Sequence, residues 1–265
     1  MGKHVIYRLL MALLVFVFIA SLVQIINLVQ TQKKEESAFD ELQSMIEQPS
    51  GQTQEKGDKS GDKSEKKSKK KESQEIIPDY EKLYNKNKDF IGWIAVDGTN
   101  IDYPVMYTPN NEEYYLHRSF NKKYSYSGVP FLGYGSDLDG SNIIVYGHHM
   151  KNGTMFADLV NFQKESYRKK HAKIIFDTMD ERRIYEVVAA FPTTVAENEP
   201  FRYYEYTGKL SEKGWKNYLY NVHEKDETMP QDIPYGGELI TLSTCAYHTK
   251  DGRFVVVGKL VDRYK

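Results

Sequence analysis

The chain has 265 residues, with 36 Lys and Arg against 37 Asp and Glu, for a formal net charge of -1. That balance supplies no global basic field, which excludes nucleic-acid binding driven by net charge. Tyrosine is abundant (21 residues), but cysteine occurs once, so no intramolecular disulfide is possible in any compartment.

Leu9 to Ala20 is an uninterrupted apolar run, continuing to Val29 with only Ser21, Gln24 and Asn27 as polar breaks. About twenty helical residues cross a bilayer core of roughly 30 Å, so residues 1–30 read as a transmembrane anchor. A cleavable signal peptide is the competing reading, since Lys3 and Arg8 form a basic start and Ala20 and Ser21 are small. The apolar region exceeds the usual length of roughly 7–15 residues, however, and the small-x-small cleavage pattern is poor. Lys33 and Lys34 match Lys3 and Arg8 in charge, so orientation rests on the long following domain. Such a domain translocates largely regardless of these charges, and the expectation is N-terminus inside, C-terminus outside.

In residues 31–48, Phe39, Leu42, Met45 and Ile46 recur at helical spacing, which suits a short membrane-proximal amphipathic helix. Residues 49–75 follow, a polar tract with no aromatic or branched apolar side chain. It cannot bury a core and is expected to be a disordered tether. Its lysines alternate with acids, which argues for a solvated spacer over a lipid or nucleic-acid patch.

The folded domain is expected over residues 76–265. Pro78 suits the first turn of a helix whose inner face carries Tyr80, Leu83, Tyr84 and Asn87. From Ile91 the pattern changes to short β-rich runs between turn signals, at 92–96, 101–107, 129–132, 142–146, 173–176, 183–191, 238–243 and 254–261. Strands of this number, with few long helical patterns between them, predict a mainly β domain built as a closed or nearly closed barrel. Short helices are expected at 155–162 and 165–171. A longer one starts from Ser211 as N-cap, with Trp215, Leu219 and Val222 facing inward.

The run Leu239-Ile240-Thr241-Leu242-Ser243-Thr244-Cys245 delivers the lone thiol to a strand end, and Arg253 opens the next apolar run eight residues later. Adjacent strands joined by such a loop place Cys245 and Arg253 side by side. A cysteine at a strand end is often a small buried hydrophobe, but the polar turn from Ala246 to Gly252 argues for a thiol at the rim. A free thiol is only about 3% ionised at pH 7, so a neighbouring cation or base must raise that fraction or steady the anion. The strand Asn142 to Tyr146 supplies the base, since Gly147 lets the chain turn and His148 project over the barrel rim. His149 points the opposite way on an extended segment, and His248 is a further candidate as base or substrate contact. His4, His117, His171 and His223 read as surface residues. Arg253 cannot be a base at neutral pH, but its fixed donors suit a developing oxyanion. Cys245, His148 and Arg253 thus describe nucleophile, acid/base and oxyanion stabiliser for acyl transfer.

The Thr-Leu-Ser-Thr-Cys run, the arginine eight residues on, and Tyr146-Gly147-His148-His149-Met150-Lys151-Asn152-Gly153-Thr154-Met155-Phe156 together resemble sortases. With Ile101-Asp102-Tyr103-Pro104-Val105 upstream, the resemblance is to class B in particular, over roughly Tyr80 to the C-terminus. It implies an eight-stranded sortase-type β-barrel behind a membrane anchor and spacer, with the catalytic domain extracellular. Cys245 would attack a threonine carbonyl in the C-terminal sorting signal of a surface protein. His148 would protonate the leaving amine, and Arg253 with the backbone N–H beside Cys245 would hold the oxyanion. An amine of the peptidoglycan peptide, or a pilin lysine, would resolve the acyl-enzyme. Tyr146, Ser243, Thr244 and Leu116 would line the substrate groove. A papain-like thiol peptidase that releases its product to water is the alternative. It needs an Asn or Asp to orient the histidine, for which Asp137, Asp139 and Asn142 are available. A zinc site from His148, Cys245 and His248 lacks further ligands at suitable spacing, so neither metal nor cofactor is expected.

Overall fold

The structure is a computed structural model that describes residues 2–46, 78–230, 232–247 and 249–265. The tether expected over 49–75 lies outside the described residues, as does His248. Two compact units are present, residues 1–44 and 45–265. The first is dominated by α1 (Lys3–Ile46), one continuous helix that runs through most of the expected anchor and on into the expected membrane-proximal segment as far as Ile46. It is long and apolar enough to cross a membrane, with a mean hydropathy of 2.9 in its most apolar window. Phe16 and Phe18 stand 70% and 69% exposed. Apolar surface on that scale calls for a non-aqueous neighbour.

In the second unit all eight expected runs form strands: β1 (Phe90–Ala95), β2 (Asp102–Met106), β3 (Phe131–Leu132), β4 (Asn142–Tyr146), β5 (Lys173–Thr178), β6 (Arg182–Thr194), β7 (Leu239–Cys245) and β8 (Gly252–Tyr264). They close into a barrel in the order β1-β2-β3-β4-β7-β8-β6-β5. The β2–β3 and β4–β7 pairs are parallel, and the other neighbours are antiparallel. β7 and β8 run further than the sequence reading had them, taking in Cys245 and Arg253.

The helices are short. α2 (Glu81–Lys86) starts after Tyr80 and so excludes Pro78. Tyr80, Leu83 and Asn87 face inward as expected, but Tyr84 is 38% exposed and lies under the Lys88 ammonium instead. The helix expected at 155–162 is a 3-10 segment, Ala157–Gln163, and α3 (Glu165–Lys170) follows it. α4 (Glu212–Lys225) begins as predicted, with the Ser211 hydroxyl accepting from the Gly214 N–H. It buries Trp215, Tyr218, Leu219 and Val222, spaced three and four apart on one face.

That helix identifies the outer wall of the barrel. Its buried side chains cluster with Ile144, Ala189, Phe191, Val255 and Val257. These strand residues share one face, because Ile144 pairs with Thr241, Thr241 with Val257 and Val257 with Ala189. An eight-stranded barrel has room inside for side chains alone, so the face that carries a helix is the exterior. Val145, Leu242 and Val256, on the alternate positions, point into the barrel core.

The barrel end at the start of β6 is closed by charge. Arg183 is buried, with Nε donating to Glu181 at 2.5 Å and an amino group donating to the Leu138 carbonyl at 2.6 Å. Arg263 donates to both Glu238 oxygens at 2.6 Å. Nearby, Arg182 grips the buried Asp177 carboxylate through two bonds of 2.7 and 2.8 Å, and Tyr80 donates to the same group.

Candidate active site

β7 is buried at six of its seven positions, and only Cys245, the last, is half-buried. A β-branched, apolar strand fixed on both faces thus presents one reactive atom where the ladder ends. On one side Cys245 is directly paired with Arg253 of β8. On the other, β4 runs parallel, with Tyr146 opposite Ser243 and the Gly147 N–H donating to the Ser243 carbonyl at 3.1 Å. The chain therefore leaves β4 beside the end of β7, two residues past Tyr146 at His148 and two past Ser243 at Cys245. Cys245, His148 and Arg253 all line one groove of about 940 Å³, together with Leu116, Tyr146, Ser243 and Thr244. All seven residues singled out in the sequence border it. Cys245 shares the face of Ser243 and Val255, the exterior wall, so the groove lies along the outside of the barrel at the strand ends. The sequence alone puts the thiol and His148 at the barrel rim without saying on which face.

The individual side chains differ in access. Tyr146 and Leu116 are half-buried and front the groove. Ser243 is fully buried and bonded to the Tyr203 hydroxyl at 2.7 Å, so it forms the bed of the groove. Thr244 is turned to the other face, where its hydroxyl donates to the Gly147 carbonyl at 2.7 Å and ties β7 to β4. Tyr203 also lies close enough to Tyr146 for the two phenols to influence each other electrostatically. Burial pushes both phenols well above their ordinary value, so both remain protonated. Nothing in the sequence singled out Tyr203; it comes from the connection between β6 and α4, where neither periodicity nor motif marks it.

Gly147 earns its place by packing and not by a turn. A Cβ there would meet the Phe156 ring at 2.7 Å. His148 Nε2 donates to the Leu116 carbonyl at 2.8 Å, which leaves the lone pair of the neutral ring on Nδ1. Its pKa is lowered, first by burial; the Leu116 bond works against this and neighbouring His117 adds to it. His149 faces elsewhere, with Nδ1 bonded to the Cys245 carbonyl at 3.0 Å, and so clasps the two strand ends. Arg253 donates to the carbonyls of Gly252 at 3.0 Å and Asp251 at 3.4 Å.

Of the histidines read as surface residues, His171 is buried, with Nδ1 bonded to the Asp97 carbonyl. His117 is exposed as expected, and its ring stacks on His148. None of the candidate orienting groups serves His148. Asn142 sits at the opposite end of β4, bonded to Tyr206 and Thr241, and Asp137 caps its own loop at that end.

Comparison with known proteins agrees with this geometry. A family model described as Sortase domain matches residues 94–261. Sortase B of Staphylococcus aureus is 31% identical over 193 residues, covering 71% of this chain and 77% of that protein. The crystal structure of Clostridium perfringens sortase B superposes with a TM-score of 0.62 at 32% identity, covering 69% of this chain and 99% of that one. A Staphylococcus aureus sortase B–substrate complex superposes with a TM-score of 0.66 at 26% identity, covering 88% of this chain and 99% of that one. With a matching domain over most of the barrel and relatives alike in sequence and in fold, the chain belongs to the sortase family of cysteine transpeptidases and is of the class B-like kind.

Proposed function

We propose that the chain is a membrane-anchored, extracellular enzyme that cleaves a C-terminal sorting signal after threonine and transfers the protein to an amine of peptidoglycan or of a pilin. The observation that carries this reading is the ladder pairing of Cys245 with Arg253, beside the strand end that carries His148. Cys245 Sγ attacks the threonine carbonyl carbon, and a C–S bond forms as the carbonyl becomes an oxyanion. The Ala246 N–H is committed to the Gly252 carbonyl at 3.0 Å, which leaves the greater share of that charge to the Arg253 guanidinium. Collapse breaks the C–N bond, and His148 delivers to the leaving amine the proton that the thiol gave up. The acceptor amine then attacks the thioester, loses its proton through His148, and releases the sulfur.

Tyr146 and Leu116 flank the bound peptide, with Ser243 forming the bed beneath them and Thr244 acting from the other face by tying β7 to β4. Residues 1–30 are the anchor with the N-terminus inside, 31–48 the membrane-proximal helix, 49–75 the spacer and 76–265 the catalytic domain. The apolar surface of α1 supports the anchor. Incubating the full chain in detergent with a sorting peptide and an amine tests the chemistry. Product carrying the amine is the expected result. Free acid alone, at every amine concentration, would establish the thiol peptidase instead.

A further inference from the structure

The loop between β2 and β3 holds the His148 ring with two consecutive residues. Leu116 takes it by the edge, its carbonyl accepting from Nε2 at 2.8 Å. His117 takes it by the face, with ring centroids 5.2 Å apart and planes 27° apart. Tyr124 continues the stack beyond His117, at 6.4 Å and 24°. The dipeptide is itself fixed: Ser125 N–H donates to the His117 carbonyl at 3.1 Å, and Val129 N–H to the Tyr115 carbonyl at 3.2 Å. Gly128 braces it from behind. It has φ +60°, and a Cβ there would come within 2.4 Å of the Leu116 carbonyl oxygen. A glycine is therefore required for that oxygen to stand where His148 meets it.

We propose that His117 is a positioning residue for His148, fixing the tilt of its imidazole while Leu116 fixes its edge. This rests on His148 being the acid/base of the proposed reaction. An imidazole held by one hydrogen bond can still swing about that bond, and a stacked ring removes the swing. Since proton transfer demands alignment with the leaving amine, the loss appears in kcat and leaves KM nearly unchanged. The pair is also coupled electrically, because a proton on His117 disfavours one on His148. Arg118 is next in sequence and paired with Tyr124, which stacks on His117. Glu112 and Glu113 before the loop, Tyr146 on β4, Tyr203, Tyr204 and Glu205 after β6, and Cys245 and Arg253 are the charged or titratable groups of the groove wall, with Tyr134. His149 is turned to the Cys245 carbonyl.

The full chain in detergent, with its histidine rings isotopically labelled, tests this through His117→Ala, His117→Phe and His148→Ala. The last also identifies the His148 resonance by its disappearance. In His117→Ala, kcat falls by about tenfold with KM within about twofold, and the His148 titration midpoint rises. In His117→Phe a ring remains to stack, so kcat recovers most of that loss while the midpoint stays raised. An unchanged kcat and midpoint in His117→Ala, with His148→Ala inactive, overturns the positioning role alone. Equal losses in Ala and Phe with an unmoved midpoint do the same. Full turnover in His148→Ala would instead remove the catalytic reading on which the proposal stands.

Discussion

β8 carries an arginine near each end, and the two are held in opposite ways. Arg263 is clamped by Glu238 through two bonds of 2.6 Å and lies 3.5 Å from Glu181. Arg253, among the described residues, hydrogen-bonds only to the carbonyls of Asp251 and Gly252. A cation already matched to a carboxylate is a fastener. One facing only carbonyl dipoles keeps most of its field for whatever charge appears in front of it. The same contrast runs through the whole barrel. At the Arg263 end buried charges meet countercharges, and at the Arg253 end thiol, imidazole and guanidinium face open space in a groove.

If the two ends divide stability from chemistry, substitutions at each should move one and spare the other. The largest effects belong to Cys245→Ala and His148→Ala, which should leave less than about 0.1% of turnover with the thermal midpoint close to the parent's. Product chromatography and calorimetry on the same samples check both halves. Arg183→Met leaves Glu181 only the longer Arg263 contact at 3.5 Å and the Leu138 carbonyl without its donor, and should cost about 1–3 kcal/mol in urea unfolding, while kcat per folded molecule stays as it was. A loss of kcat there would break the division outright. Arg253→Lys should lower kcat/KM by about a hundredfold, because an ammonium lacks the planar fork; Arg263→Lys should leave it unaltered. The smallest effect concerns acid. His148 has a lowered pKa in the folded protein, so the unfolded chain binds its proton first as pH falls. The stability this group contributes is present above about pH 6.5 and declines below it towards the folded value. In a pH series of thermal midpoints on the parent and His148→Gln, the difference between the two should stay constant above that window and shift against the parent within it.

Much of this was legible in the residues. β4 matches its predicted span because Asn142-Ile143-Ile144-Val145-Tyr146 is a short β-branched run ended by glycine. The pairing of Cys245 with Arg253 follows from a short antiparallel connection, where sequence distance and spatial distance agree. The wall on which the groove lies was not legible. β7 is buried on both faces, so its alternation separates two sides without saying which is inside. Only α4, lying on one of them, decides it. His117, read only as a surface residue, and Tyr203, not singled out at all, were missed at the site for a related reason: each reaches it from a connecting segment, and no local pattern reports a contact made across the fold.

The parallel pairing of β4 with β7 has a further consequence. Gly147 and Thr244 are joined by a hydrogen bond although 97 positions separate them, with β5, β6 and α4 laid down between. Contacts of such span are slow to form, since closing the intervening chain costs entropy before any contact repays it. Helices and hairpins will therefore regain their spectroscopic signals earlier during refolding than the thiol regains its neighbours. Transpeptidation measured against time after dilution from denaturant would then serve as a clock for the final assembly step, trailing far-ultraviolet dichroism by the interval that topology imposes.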